Sequence, residues 1–217
     1  MQGPVAAIIL AAGESKRMGM PKLLLPFAGS TIIETTVRNV VLSEVDQILV
    51  VTGYKADRLS VQLQAAPVRL VLNKNYQEGM LQSVIVGIQA VSPRIGSVMV
   101  MPADQPMIKT SAINKVLAAF QSSPKGIAVP TYRMRRGHPI LFCLKYRTAL
   151  IRFINEGLRR LVYENPEDVL EIPIDDPEIC NDIDTFTDYR QALDNVTPAE
   201  PAVNSSKISE SARRKVG

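Results

Sequence analysis

Val5-Ala6-Ala7-Ile8-Ile9-Leu10 is an unbroken apolar run, and it gives way at once to Ala11-Ala12-Gly13-Glu14-Ser15-Lys16-Arg17-Met18-Gly19-Met20-Pro21-Lys22, a polar loop containing two glycines. Six apolar residues bounded in this way read as a strand buried on both faces, as in parallel sheets. The same pattern recurs along the chain. Gln47 to Val51, Val68 to Leu72 and Ser97 to Met101 are further apolar runs. Between them lie segments with helical spacing: one beginning at Thr31, with Ile32, Ile33, Val37, Val40 and Val41, one over Lys55 to Gln64, and one over Met80 to Val91. Strands alternating with amphipathic helices predict an α/β fold, a doubly wound and mostly parallel sheet with helices on both faces.

Beyond a helix over Ile113 to Phe120 the pattern loosens. Gly126 to Val129 and Ile140 to Phe142 are candidate strands around a basic loop, and a helical stretch starts at Lys145. Glu171-Ile172-Pro173-Ile174 reads as an edge strand because of its proline, and Phe186 to Leu193 as the last helix. After Val196 the residues are polar and aperiodic, so one domain over 1–196 and a disordered tail over 197–217 are expected.

Composition narrows the function classes. The 217 residues are 46% hydrophobic and 21% charged, with 5% aromatic and no Trp. The net charge is +4, but the tail contributes Lys207, Arg213, Arg214 and Lys215 against only Glu200 and Glu210. Half of the excess therefore lies in the tail, and no concentrated basic face is left for nucleic acid. Cys143 and Cys180 stand far apart without metal-ligand neighbours, which fits a reducing cytoplasm. No apolar stretch approaches the roughly 20 residues needed to span a bilayer.

The first loop leaves its strand at the carboxyl end, where open α/β sheets bind ligands. Its glycines permit close backbone approach, and Lys16, Arg17 and Lys22 can neutralise phosphate. It is neither G-x-x-x-x-G-K-[ST] nor G-x-G-x-x-G, and on residues alone a solvated turn with surface lysines competes. Asp104 follows the fourth strand in a turn set by Pro102 and Pro106. A hard carboxylate there suits Mg²⁺. The competing reading makes it a cap for the helix near Lys109, from which it lies rather far. Asp182 and Asp184 alternate on an extended segment, so their side chains are expected on opposite sides. One would join Asp104 at a metal while the other holds structure or caps the last helix. Carboxylates that converge without a cation repel one another, and a divalent ion removes that repulsion. Gly79-Met80-x-x-Ser83 opens a helix whose free N–H groups favour an oxygen-rich ligand. On residue type alone His138 reads as a structural or surface histidine, and Arg159 reads equally as a surface arginine.

Five segments, in order, resemble the nucleotidyltransferases related to molybdenum cofactor cytidylyltransferase. Leu10-Ala11-Ala12-Gly13 with Ser15, Arg17-Met18-Gly19 and Lys22 is similar to that family's L-A-A-G-x-S-x-R-M-G-x-x-K signature. Asn75 to Ser83, Asp104-Gln105-Pro106, Arg136-Gly137-His138-Pro139 and Asp182-Ile183-Asp184-Thr185 resemble its later motifs. Two departures stand out: Phe186-Thr187 replaces Pro-Glu after Thr185, and Leu158 replaces alanine in Gly157-Leu158-Arg159. The resemblance spans about residues 5 to 195. It implies a Rossmann-like fold and transfer of a nucleoside monophosphate from a triphosphate, with CTP the donor and a molybdopterin-type cofactor the acceptor.

The resemblance also implies residue roles. Leu10, Ala11, Ala12, Gly13, Lys22, Gly79, Ser83 and Asp104 would bind nucleotide, and Arg17, Lys22 and Asp104 would act in catalysis. Asp104 with Asp182 and Asp184 would hold Mg²⁺, or Mn²⁺ in its place, Asp182 being the preferred of the late pair. Arg136, His138 and Arg159 would meet the acceptor. Transient contact with a molybdoenzyme or its chaperone fits such a product. GTP or another triphosphate with a different small phosphate, and a non-catalytic cofactor chaperone, remain as alternatives.

Overall fold

Strand β1 (Val5–Ala11) alternates strictly between two cores, sending Val5, Ala7, Ile9 and Ala11 to one face and Ala6 and Ile8 to the other. That alternation is why its sequence is apolar at every position. The computed structural model describes residues 3–153 and 157–196, so the expected disorder of 197–217 lies outside the described residues.

After the first loop a short hairpin of β2 (Pro26–Phe27) and β3 (Ser30–Thr31) leads into α1 (Ile32–Val41). Thr31 caps α1 with a full capping box: its Oγ1 accepts from the Glu34 N–H, and the Glu34 carboxylate accepts from the Thr31 N–H. Next come β4 (Gln47–Thr52), α2 (Ala56–Gln62), β5 (Arg69–Leu72), α3 (Met80–Ala90), β6 (Ser97–Pro102) and α4 (Thr110–Gln121). The C-terminal part holds β7 (Ile127–Tyr132), β8 (Arg135–Arg136), β9 (Ile140–Cys143), α5 (Arg147–Arg152), α6 (Leu158–Glu164), β10 (Val169–Pro173) and α7 (Phe186–Asn195).

The order across the sheet is β10-β7-β9-β6-β1-β4-β5, with β8 paired to β7. β1 runs parallel to both β4 and β6, and β4 parallel to β5. β9 runs antiparallel to β6 and to β7, and β10, at the edge as its proline suggests, is parallel to β7. Buried side chains of α1, α2 and α4 share one core face, and those of α3, α5 and α6 the other. Among the described residues no helix is long and apolar enough to cross a membrane.

From β1 the chain builds outward through β4 and β5, then crosses to the other side at β6. The loops that follow β1 and β6 therefore diverge from adjacent carboxyl ends. In an open α/β sheet that divergence creates the ligand crevice.

Candidate functional site

A cleft of about 640 Å³ opens at this switch point. Leu10, Ala12, Gly13 and the polar residues through Arg17 line it, opposed by Tyr76, Gln77, Gly79, Met80 and Ser83; Lys22, Asp104 and Asp184 line it too. Of the residues expected at the nucleotide, Ala11 is the one that turns away. The β1 alternation buries its methyl group in the core under α1.

The first loop is built from two single helical turns. Ser15 takes a left-handed conformation (φ 55°), and its carbonyl accepts from the Met18 N–H to close the turn that carries Arg17. A second turn starts at Lys22 and projects its side chain between two carboxylates. Lys22 Nζ lies 2.6 Å from Asp104 Oδ2 and 2.9 Å from Asp184 Oδ1. The other Asp184 oxygen accepts from Arg17 Nη1 at 2.6 Å. The Lys22 side chain is only 11% exposed. Burial alone would depress its pKa, but Asp104 and Asp184 outweigh burial and raise it. Burial likewise works against ionised Asp184, and Lys22 and then Arg17 overcome it, holding the carboxyl below its ordinary value. The third loop cation is engaged elsewhere: Lys16 pairs with Glu14 at 2.8 Å, and Glu14 also accepts from Gln77 Nε2 across the cleft.

The opposing charge for converging carboxylates is thus supplied, in this chain, by Lys22. Even so, one oxygen is left over. Asp104 Oδ1 is buried and has no hydrogen-bond partner. An unmatched buried acceptor is costly, more so on an ionised group. Asp104 does not cap α4, whose N-cap is Lys109, so this oxygen is not a capping group. A hard cation suits it. Among the described residues no group of three or more His, Cys, Asp or Glu side chains is placed to hold a metal ion by itself. Mg²⁺ commonly binds through one or two carboxylates plus phosphates and water, so the donor set fits such an ion.

The expectation that Asp182 and Asp184 face apart is not met. Burial, then the negative charges of Asp184 and Asp104, raise the Asp182 carboxyl, so all three acids share one field. The segment is not a regular strand, so period-two alternation does not apply. It is pinned instead by the Ile183 N–H, which donates to the Asp104 carbonyl at 3.0 Å while the Ile183 side chain is buried. Neither aspartate caps the last helix. Thr185 and Asp188 do so in a capping box, which the Phe186-Thr187 departure leaves intact.

Gly137-His138-Pro139 is joined to the same segment. The His138 N–H donates to the Ile179 carbonyl at 2.8 Å, and a Cβ at Gly137 would lie 2.2 Å from that oxygen. Only glycine fits there. Burial pushes His138 down to about 4, opposed by the Asp104 charge and assisted by Arg159, so its imidazole is neutral at physiological pH. His138 therefore sits within electrostatic reach of Asp104, and exposed Arg159 within reach of His138. Arg136 does not: its guanidinium pairs with Glu171 at 2.7 Å on the surface and lies over the Tyr163 ring.

On the opposing wall Gly79 has φ 106° and ψ 172°, a conformation open essentially to glycine alone, and it starts α3. Ser83, in the second turn of that helix, accepts from Asn73 Nδ2. Tyr76, Gln77 and Glu14 lie inside quoted motifs, yet nothing in residue type marked them as lining the cleft. Asn73 lies outside every motif, and only its long-range contact reveals it.

A doubly wound sheet with a cleft of about 640 Å³ at its switch point, lined by Lys22, Asp104 and Asp184, defines a nucleotide-handling α/β protein. Residues 7–169 match the MobA-like NTP transferase domain; the chain belongs to that family and is a nucleotidyltransferase. It is 28% identical over 195 residues to the molybdenum cofactor cytidylyltransferase of Escherichia coli (strain K12), covering 89% of this chain and 97% of that protein. It is 27% identical over 199 residues to a nicotine blue oxidoreductase of Paenarthrobacter nicotinovorans, covering 87% and 96%. Among solved structures, Rv0371c of Mycobacterium tuberculosis H37Rv in complex with manganese matches with a TM-score of 0.77 at 25% identity, covering 89% of this chain and 100% of that one.

Proposed function

We propose that this protein transfers CMP from CTP to a phosphate of a molybdopterin-type acceptor in the cytoplasm and releases pyrophosphate. The observation that carries this reading is the Lys22 ammonium between Asp104 and Asp184, beside the unmatched Asp104 oxygen. An acceptor phosphate oxygen attacks the α-phosphorus, and the bond from that phosphorus to the pyrophosphate oxygen breaks. The attacking phosphate is already anionic at neutral pH and needs no strong base. Positioning and charge neutralisation are therefore the work left to the protein.

Lys22 and Arg17 exchange carboxylate partners for the triphosphate and its leaving group. Gly13 and Gly79 leave open space for close backbone approach. Asp104, with one of Asp182 and Asp184, would hold Mg²⁺ or Mn²⁺ together with substrate phosphates, and the ion would supply further neutralisation of phosphate charge when bound. Neutral His138 and Arg159 lie toward the acceptor. The Escherichia coli relative supports the choice of CTP and molybdenum cofactor, and the manganese complex of Rv0371c supports a divalent ion.

Pyrophosphate release with each of the four ribonucleoside triphosphates, with and without molybdenum cofactor, tests this reading. Release with CTP, dependent on the cofactor, is expected. Release with GTP, or with another small phosphate, moves the specificity while keeping the chemistry. No release with any triphosphate under Mg²⁺ or Mn²⁺ overturns it in favour of a cofactor-binding chaperone or of the redox chemistry in the Paenarthrobacter relative's name.

A further inference from the structure

Asn73 follows β5 and takes no part in the chemistry above, yet it is 1% exposed and hydrogen-bonded through both ends of its amide. Its Oδ1 accepts from the Asn75 N–H at 2.9 Å, and its Nδ2 donates to Ser83 Oγ at 3.0 Å. These two contacts fix the amide without ambiguity. A backbone N–H can only donate, so the atom facing Asn75 must be the carbonyl oxygen and the atom facing Ser83 must be the NH₂. Ser83 Oγ then receives a hydrogen bond from protein, and its own hydroxyl proton is left to donate. Ser83 is 3% exposed and lines the cleft, and among the described residues its hydroxyl is seen accepting from Asn73 and donating to no protein group, so its hydrogen is available to a bound ligand or water.

We infer that Asn73 is a positioning residue for nucleotide recognition: it sets the polarity of Ser83, making that hydroxyl a hydrogen-bond donor to an acceptor atom on the base or ribose. The inference rests on nucleotide occupying this cleft, as proposed above, and deepens that reading. Ser83 lies on α3, on the wall opposite the Arg17–Lys22 loop, so the group it meets belongs to the nucleoside end rather than the polyphosphate. Carbonyl oxygens and unprotonated ring nitrogens of a base, or a ribose hydroxyl, answer this donor. An amino group on a base does not.

Asn73→Asp tests the assignment. The substitution is nearly isosteric and preserves the acceptor for Asn75, but it places a carboxylate oxygen where the donor was. Ser83 must then give its proton to the introduced carboxylate, and the cleft loses its donor. Binding of CTP and of inorganic tripolyphosphate is measured by calorimetry for the wild type, Asn73→Asp, Ser83→Ala and the double variant. CTP affinity should fall about tenfold in Asn73→Asp, the worth of one well-made hydrogen bond. Tripolyphosphate, which has no nucleoside, should lose only what the introduced charge costs any polyphosphate, several-fold less than the loss for CTP. Ser83→Ala should weaken CTP binding in the wild type and do nothing further in the Asn73→Asp background. Equal losses for CTP and tripolyphosphate would show a merely structural role and overturn the inference, as would additive effects of the two substitutions or unchanged CTP affinity. A wild type that binds CTP no better than tripolyphosphate would count against nucleotide occupancy itself, a comparison that involves none of the variants. If Asn73→Asp does not fold, Asn73→Ser removes both amide contacts, and CTP affinity should still fall more than tripolyphosphate affinity because the Ser83 hydroxyl is no longer held as a donor to the cleft.

Discussion

Asp104→Asn is expected to lower turnover by about 10²- to 10³-fold, the scale of losing one preorganised charge contact in a transition state. The substitution is near-isosteric, and at a capping position Asn would serve as well as Asp. As a cation ligand it would not, because a neutral amide oxygen is a poor partner for a hard dication. Raising Mg²⁺, or replacing it by Mn²⁺, should recover part of the rate. Full activity at low Mg²⁺ would remove Asp104 from the metal role. Stability should change as well, and here the structure reverses an expectation. Carboxylate repulsion alone predicts that neutralising Asp104 raises the melting temperature. Asp104 is in fact paired at 2.6 Å with an ammonium that is 11% exposed, and Lys22 would keep only Asp184. The metal-free protein should therefore lose roughly 1–3 kcal/mol, as for a hydrogen bond to a charged group. Thermal melts in EDTA check the sign.

Lys22→Ala should reduce kcat/KM by a similar factor, about 10²- to 10³-fold, if its ammonium neutralises phosphate charge in the transition state. It should also destabilise the chain, because removal of one partner leaves Asp104, Asp182 and Asp184 facing one another with Arg17 alone opposed to them. Two consequences distinguish this from general damage. Mn²⁺ should raise the melting temperature more in the variant than in the wild type, since a bound dication restores the missing charge. The stability gap should also close in acid. Against the effect of burial, the Asp184 carboxyl is held below its ordinary 3.8 in the folded chain, mainly through Lys22. Such a group contributes stability above its unfolded pKa and loses it as pH falls through the folded one. Below about pH 4 the wild type therefore gives up an advantage that the variant never had. A gap that widens in acid, or an unaltered kcat/KM, would contradict the role given to Lys22.

Much of the fold was legible because β1, β4 and β6 are buried on both faces and their sequences announce it. The direction of β9 was not. Ile140 to Cys143 is as apolar as a parallel strand, and only its pairing with β6 and β7 makes it antiparallel. Helix starts were readable where chemistry marks them, as at Thr31 with Glu34. The candidate site divides in the same way. Lys22, Asp104, Gly79 and Ser83 come together because each follows a strand end or opens a helix at the switch point, positions that sequence pattern locates. The joint setting of Asp182 and Asp184 depends on one backbone contact from Ile183 to Asp104, which no periodicity encodes. Arg136 pairs with Glu171, thirty-five residues on in sequence, a contact that no local pattern foretells. Asn73 has an ordinary local sequence, and its place beneath Ser83 is purely tertiary.

The most direct measurement of the central claim follows each phosphorus of the donor separately. CTP labelled at the α-phosphate, and CTP labelled at the γ-phosphate, are incubated with the protein, Mg²⁺ and molybdenum cofactor. Nucleotidyl transfer predicts that the α-label moves to the acceptor while the γ-label appears only in pyrophosphate. Appearance of the γ-label in orthophosphate or on the acceptor, with the α-label retained in CDP, would mean cleavage at the wrong phosphorus and would contradict the mechanism.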